Sequence, residues 1–205
     1  RASAAALGAD AFRSRRTTAL LLEPNGANPP IVWWATNAGL FRSVDSGANW
    51  VECDFNGTSG LEISSLVRCQ TSAGADRLLA AVWGDRIYSR VATGTSFTPF
   101  IVNPGVMPTT SIGGRIGLVV APSNPKRVYC VAGVAGSGPF VGVFSSTAGG
   151  ENWTGQALPT PTSPHRPLGQ SQYNLALAVH PTDPDTLMFG ETSIWRSKDG
   201  GATWS

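Results

Sequence analysis

Apolar and polar residues along this chain form short strand-like runs separated by turns. Runs of four to seven residues rich in Val, Ile, Leu and aromatic side chains recur throughout, for example at residues 31–36, 127–132 and 175–179. Gly, Pro, Asn and Asp cluster between the runs, as at 24–30 and 181–184. Branched and aromatic side chains favour strands, and these turn residues end them. The pattern predicts an all-β protein, and no segment has a convincing helical period.

One turn motif occurs three times, and each copy is called a box turn below. Residues 197–204 read Ser-x-Asp-x-Gly-x-Thr-Trp, residues 43–50 have Asn before the Trp, and residues 146–153 have Ala in place of the Asp. An Asp that accepts backbone N–H groups, a Gly with positive φ and a Trp that opens the return strand predict a hairpin turn. This structural role is assigned to Ser43, Asp45, Gly47, Trp50, Ser146, Gly150, Trp153, Ser197, Asp199, Gly201 and Trp204.

The aromatic residue that closes each repeat sets the period of the chain. Trp50, Phe97, Trp153 and Trp204 are 47, 56 and 51 residues apart, and each repeat holds four strand-like runs. A period of this length indicates four-stranded blades stacked around an axis. We predict a single domain over residues 17–205, with a lead-in segment or edge strand over residues 1–16. The predicted blades span approximately residues 17–53, 63–100, 114–156 and 174–205.

These repeats resemble those of the Asp-box, or BNR, β-propellers, which include sialidase-like, xyloglucanase-like and sortilin-like proteins. The resemblance rests on the box turns and on the sequence of residues 178–205, and it covers nearly the whole chain from about residue 17. It implies a β-propeller in which the box turns are folding elements and not the active site. Propellers of this family usually have six to eight blades or more. The four visible repeats therefore suggest a fragment of a larger propeller, and the alternative is a four-bladed ring closed by residues 1–16.

Composition and charge exclude several classes of protein. The chain has 205 residues, of which 14% are charged, and a formal net charge of +2 with scattered basic residues, so we predict no nucleic-acid partner. It has no run of 18 apolar residues, so we predict no membrane span. His165 and His180 are isolated and the cysteines lack metal-ligand spacing, so we predict no metal site. The chain also lacks a nucleotide-binding motif, and no cofactor is predicted.

Two of the three cysteines lie in neighbouring blades. Cys53 ends one predicted strand, and Cys69 lies in the first strand of the next blade. A disulfide between Cys53 and Cys69 is one hypothesis, and buried free thiols are the other.

Candidate catalytic acids are those not assigned to a turn. A glycosidase of the xyloglucanase type needs two facing carboxylates, roughly 6.5–9.5 Å apart in an inverting enzyme. Asp54, Glu62, Asp85 and Glu191 remain as candidates, and Asp85 and Glu191 fall at comparable points between the second and third strands of their blades. Solvated loop acids explain these four residues equally well.

Ligand-binding candidates follow from the resemblance, because propellers hold ligands near the central channel in loops that join one blade to the next. His165 and Arg166 lie in the long Pro-rich loop at residues 157–173, and Arg115 opens the third blade. Residues 115–117 are among the nearest matches to the Arg-Ile-Pro segment of sialidases, but they fall on a predicted strand. All three Tyr residues lie in or beside strands, so core positions are predicted for Tyr88, Tyr129 and Tyr173, and sialidase activity is not expected.

Three functions compete on this evidence. The first is a non-catalytic propeller module of a secreted, periplasmic or cell-surface protein that recognises a glycan or protein partner through its blade-connecting loops. The second is part of a xyloglucanase-like glycoside hydrolase that acts on a polysaccharide through two carboxylates. The third is an assembly factor resembling the photosystem-assembly propellers. The remainder of a larger propeller chain is the expected structural partner.

Overall fold

The chain folds into four antiparallel sheets that follow one another along the sequence. The computed structural model describes residues 14–91, 101–102, 114–133, 140–158, 172–191 and 193–205. Its strands are β1 Thr17–Asn25, β2 Asn28–Thr36, β3 Gly39–Ser43, β4 Val51–Glu52, β5 Ile63–Gln70, β6 Asp76–Val82, β7 Ile87–Val91, β8 Ile101–Val102, β9 Ile116–Ala121, β10 Asn124–Gly133, β11 Phe140–Ser146, β12 Thr154–Gly155, β13 Ala176–Val179, β14 Leu187–Gly190 and β15 Ile194–Ser197.

Each sheet is an up-and-down meander, which is the topology of a propeller blade. The first three sheets pair their strands in the sequential orders β1-β2-β3-β4, β5-β6-β7-β8 and β9-β10-β11-β12, and the fourth is β13-β14-β15. In the fourth sheet, Ser205 exchanges two backbone hydrogen bonds of 2.9 Å with Arg196 of the third strand. Val51 at the start of β4 pairs in the same way with β3, and Thr154 at the start of β12 pairs with β11. The predicted all-β propeller class is confirmed. The outer strand of blade two lies at Ile101–Val102, just beyond residue 100, where the predicted blade ended.

Apolar residues between consecutive blades form three separate cores. The first joins blades one and two around Trp33, Phe55 and Leu78. The second joins blades two and three around Leu79, Cys130 and Trp153. The third joins blades three and four around Val131 and Phe189. Because successive strand residues point to opposite faces, Leu78 and Leu79 of the same strand serve different cores.

Trp33 and Trp34 show how a central strand can be apolar on both sides. Trp33 is fully buried against blade two and donates its indole N–H to Glu23 at 2.8 Å. Trp34 points the other way, is 8% exposed, and packs at 5.3 Å on Phe41 and at 5.7 Å on the box-turn residue Trp50. Both tryptophans therefore belong to the buried part of the blade.

The box turns are closed by a repeated set of hydrogen bonds. The Asp45 carboxylate accepts from Ser43 Oγ at 2.7 Å and from the Asn49 backbone N–H at 2.8 Å, and Asp199 accepts equivalently from Ser197 and Thr203, each at 2.8 Å. Hydrogen bonds from Asn49 to Asp45 and from Thr203 to Asp199 hold the pKa of each carboxyl at about 2. The third box turn, which lacks the Asp, keeps the Ser146 bond to the Gly150 N–H at 2.9 Å.

The third box turn also fastens blade three to blade two. The Gly149 carbonyl accepts hydrogen bonds from Cys69 Sγ and Arg77 Nη1, both at 3.4 Å. Gly149 has φ +60°, and a Cβ built there would lie 2.0 Å from the backbone oxygen of Gln70. Only glycine allows this approach, so the position is fixed both by backbone conformation and by the neighbouring blade.

All three cysteines are free and buried, so the hypothesised Cys53–Cys69 disulfide is not formed. Cys53 packs in the core between blades one and two, whereas Cys69 packs in the core between blades two and three. The two thiols therefore lie on opposite sides of blade two. Burial raises the pKa of both thiols, that of Cys69 to about 12.

The two end blades each expose an apolar face. On blade one, Leu20 and Leu22 are 67% and 64% exposed, and on blade four, Met188 and Ile194 are 47% and 74% exposed. Leu20 occupies the position in blade one that Leu118 occupies in blade three. Leu118 is only 8% exposed because blade two packs against it. Within the residues described, these faces have the composition of blade interfaces but no neighbouring blade.

No helix of the described residues is long and apolar enough to cross a membrane.

We predict that Gly149→Ala destabilises the fold far more than Gly26→Ala. Both glycines have φ +60°, so both substitutions incur the cost of a left-handed alanine, roughly 1–2 kcal/mol. Nothing lies within 4 Å of a Cβ at Gly26, whereas blade two obstructs one at Gly149. Overlap adds about 1–3 kcal/mol, measurable by urea denaturation. Equal losses for the two variants would show that the box turn does not press on blade two.

Stability should fall as the box-turn carboxylates are protonated. Their folded-state pKa of about 2 lies below the ordinary value near 4, so they stabilise the fold above about pH 4 and lose this contribution as the pH falls through about 2. The double variant Asp45→Asn/Asp199→Asn should be less stable at pH 7 and less sensitive to pH between 4 and 2. Thermal unfolding across this range tests the prediction, and parallel profiles for both proteins would contradict it.

Candidate functional site at the mouth of the channel

The up-and-down topology separates the two ends of the propeller. Turns between first and second strands share one end with the box turns, because antiparallel strands alternate in direction. Turns between second and third strands lie at the other end, together with the connections from one blade to the next. At this second end, the Trp83 N–H donates to the Glu62 carbonyl at 2.8 Å, and the Gly84 N–H donates to the Gly114 carbonyl at 3.0 Å. We call the channel opening at this end the mouth.

A cavity of about 600 Å³ lies at the mouth. Residues from all four blades, or from the segments that lead into them, line it, and those with functional side chains are Arg16, Glu62, Trp83, Arg115, Gln172 and Tyr173. A smaller cavity of about 290 Å³ shares Thr18, Ser64 and Arg115 with it and is lined by the four innermost strands. The volume of the larger cavity is typical of sites for small organic ligands.

Arg16 and Glu62 form an ion pair across the mouth. The Arg16 Nη2 to Glu62 Oε1 distance is 2.8 Å, and the Arg16 side chain is 70% exposed. The Arg16 backbone is fixed by Asn37, whose Oδ1 accepts from the Arg16 N–H at 2.7 Å and whose N–H donates to the Arg16 carbonyl at 3.1 Å. The lead-in segment is therefore attached to blade one and presents a guanidinium to the acid that opens blade two.

Arg115 enters the cavity from the start of blade three. Its backbone carbonyl accepts from the Gly133 N–H at 2.9 Å, and its Nη1 donates to the Tyr173 carbonyl at 3.3 Å. Next to it, the Ser64 hydroxyl donates to the Ile116 carbonyl at 2.9 Å and so links the innermost strands of blades two and three. These bonds hold the first residues of β9 against β5, and the guanidinium is thereby positioned at the opening.

The four candidate acids have different surroundings. Glu62 lines the mouth, whereas Asp54, Asp85 and Glu191 do not. Asp54 accepts the Gly57 N–H at 2.7 Å and caps a turn. Asp85 accepts from Arg86 Nε at 2.7 Å and from the Tyr88 hydroxyl at 2.6 Å, and burial together with this bond raises the pKa of Tyr88 to about 12. Glu191 is half-buried in the turn before β15, and its N–H donates to Ser193.

Sequence reasoning missed four residues of the mouth: Arg16, Trp83, Gln172 and Tyr173. The predicted core position of Tyr173 is wrong, since this side chain is 79% exposed, whereas Tyr88 and Tyr129 are buried as predicted. Tyr173 precedes β13 rather than lying within it, so it belongs to the blade connection. Its place between the long loop and the first strand of a blade was the signal available in the sequence. His165 and Arg166 lie outside the described residues.

Metal ligands are not grouped anywhere in the described ranges, where no three His, Cys, Asp or Glu side chains come together. The mouth offers instead two guanidiniums, one carboxylate, one amide and two aromatic rings. Such a set can hydrogen-bond and stack on a polar organic ligand. Among the described residues of the lining, Glu62 is the one carboxylate.

The fold and the mouth together define a β-propeller with a polar cavity at the end where the blades are connected. No model of a known protein family matches the chain. Over 101 residues, the chain is 35% identical to the xyloglucanase Xgh74A of Acetivibrio thermocellus. That stretch covers 45% of this chain and 11% of the relative.

Solved structures show the same architecture. The GH74 enzyme of Niastella koreensis superposes with a TM-score of 0.61 at 21% identity, over 91% of this chain and 28% of the enzyme. The YCF48 protein of Cyanidioschyzon merolae superposes with a TM-score of 0.52 at 17% identity, over 94% of this chain and 56% of that protein. At these identities the likeness shows a shared propeller fold, and this chain spans about a quarter to a half of those proteins.

Proposed function

We propose that this chain is the oligosaccharide-binding part of a β-propeller and holds its ligand at the mouth. The observation that carries the proposal is the cavity of about 600 Å³ in which the rings of Trp83 and Tyr173 accompany Arg16, Glu62, Arg115 and Gln172. Ligand sites combine apolar and aromatic surface with a few converging polar groups. The flat face of a sugar ring stacks on aromatic side chains, and its hydroxyls pair with amide, guanidinium and carboxylate groups.

A binding role fits the candidate acids better than catalysis by this segment. Glycoside hydrolysis requires one carboxyl group that is free to donate a proton and a second that acts as base or nucleophile. Glu62 is paired with Arg16, Asp85 is held by Arg86 and Tyr88, and Asp54 caps a turn. Each of these three carboxylates already has a partner in the structure.

The similarity to a xyloglucanase supports a polysaccharide ligand over a protein ligand. It also supports the second candidate, in which this chain forms part of a xyloglucanase-like hydrolase whose catalytic groups complete the site from elsewhere. Both functions place the protein outside the cytoplasm, because polysaccharides of this kind are extracellular. A secreted or cell-surface location is therefore part of the proposal.

We further propose that the four blades belong to a larger Asp-box propeller. The exposed apolar faces of blades one and four support this, since a further blade on each face would bury Leu20, Leu22, Met188 and Ile194 as Leu118 and Val143 are buried inside the arc. The Ser–Asp–Gly–Trp hydrogen-bond pattern of the box turns supports the assignment to the Asp-box type.

Oxidative footprinting of Met188 in the native protein tests the larger propeller. In the 205-residue chain this side chain is 47% exposed and should oxidise readily. If a further blade covers it in the native protein, oxidation should be slowed at least about tenfold relative to the 205-residue chain, as expected when burial removes access to the sulfur. Equal oxidation rates would contradict the proposal.

Substitution of Tyr173 tests the binding site. A panel of neutral and acidic plant cell-wall oligosaccharides is titrated calorimetrically against the wild type and Tyr173→Ala. Truncation of an aromatic residue that dominates binding costs more than about 1 kcal/mol, so affinity should fall at least about fivefold. Val44→Ala is the matched control: it also truncates an exposed apolar side chain, but in a box turn at the opposite end.

Two outcomes would change the conclusion. The absence of binding by any oligosaccharide, or an equal loss in Tyr173→Ala and Val44→Ala, would reject the mouth as a glycan site. Release of reducing sugar from xyloglucan by the chain alone would reject the non-catalytic role and favour the hydrolase.

A further inference from the structure

Arg115 is the basic residue at the mouth whose charge has no partner among the described residues. The one hydrogen bond that its side chain makes to the described residues is donated by Nη1 to the Tyr173 carbonyl at 3.3 Å. Arg16, by contrast, is neutralised by Glu62 at 2.8 Å. A guanidinium carries five N–H donors, so most of those on Arg115 remain for another acceptor.

Few acids of the sequence are left to neutralise this charge, and a single one, Asp10, lies outside the described residues. Residues 92–113, 134–139 and 159–171 contain neither Asp nor Glu. Among the described acids at this end of the propeller, Glu62 is paired with Arg16 and Asp85 with Arg86 and Tyr88, whereas Asp54 and Glu191 do not line the cavity. The described lining holds one carboxylate and two guanidiniums, which give it a net charge of +1.

The charge of Arg115 lies beside aromatic surface. Tyr173 and Trp83 both line the same cavity, and Tyr173 is 79% exposed. Guanidinium and carboxylate pair through two parallel hydrogen bonds, which fix both distance and orientation. A ligand that fits this arrangement has a flat sugar face for the rings and a carboxylate for Arg115.

We propose that the mouth selects an oligosaccharide that bears a uronic acid, with Arg115 bound to the uronate carboxylate. The inference rests on the proposed function, because it assumes that the mouth binds sugars, and it adds the class of ligand. Arg115 provides the selectivity and the aromatic residues provide affinity common to neutral and acidic sugars.

The test uses two ligands that differ in one substituent: a xylo-oligosaccharide carrying one glucuronic acid and the same oligosaccharide without it. The wild type should bind the acidic ligand at least about tenfold more tightly, because charge-assisted hydrogen bonds are roughly twice as strong as neutral ones. In Arg115→Gln this preference should disappear, because affinity for the acidic ligand should fall about tenfold more than affinity for the neutral one. Arg196→Gln is the control, since it removes the same charge from an exposed position on blade four.

The outcomes distinguish a failure of the uronate proposal from a failure of glycan binding at the mouth. Equal affinity of the wild type for both ligands, or a preference that survives in Arg115→Gln with an unchanged unfolding midpoint, would overturn the uronate inference while leaving glycan binding intact. Binding of neither ligand, together with capture of an acidic peptide that Arg115→Gln abolishes, would overturn glycan binding itself. The acidic preference should also weaken as the salt concentration rises from roughly 50 to 500 mM, because the Debye length shortens about threefold.

Discussion

A four-stranded blade is apolar on both faces and must bury both, and the rest of this structure depends on that constraint. Blade two satisfies it through two separate cores, with Leu78 directed to blade one and Leu79 to blade three. Burial of apolar surface drives the stacking, at roughly 25 cal/mol per Å². Close backbone approach then sets the register, as where Gly149 touches the chain at Gln70. Stacking of similar blades accounts for the sequential strand order and for the period near fifty residues. Close approach of the blades accounts for the glycine of the box turn.

The same constraint gives the molecule one end that carries the box turns and another that carries the cavity. Box turns and the turns between first and second strands are joined by backbone bonds, such as the one from the Gly200 N–H to the Asp185 carbonyl at 2.8 Å. Arg127 and Tyr129 of blade three add contacts to the same turn of blade four. The opposite end carries the longer connections and the cavity. Residues of the repeated box turns hold neighbouring blades together, and residues that differ from blade to blade line the mouth.

The sequence predicted the elements that repeat and missed those that do not. Each box turn could be recognised because its hydrogen bonds lie within eight consecutive residues. The mouth is assembled from residues as distant as Arg16 and Tyr173, whose proximity depends on how four blades curve around an axis. Among the earlier candidates that the structure describes, only Glu62 and Arg115 line it. Its neighbouring strand suggested a buried Tyr173, but the residue lies three positions before β13 and is exposed.

The cysteines and the end faces show the same limit. Cys53 and Cys69 are close in sequence and lie in neighbouring blades, but whether their side chains meet depends on which face of blade two each one occupies. Leu20 and Met188 have the character of core residues, and they are exposed only because no described blade lies beside them. Local pattern predicts that a position is apolar, whereas exposure depends on the neighbours that the arc provides.

The central proposal is that a sugar binds at the mouth. A crystal structure with a glucuronic-acid-substituted xylo-oligosaccharide tests it by showing the position of the ligand. The account predicts the ligand at the mouth, with its carboxylate within about 3 Å of the Arg115 guanidinium and a ring stacked on Tyr173 or Trp83. A ligand bound at the box-turn end, or on the open face of blade four beside Met188 and Arg196, would contradict it.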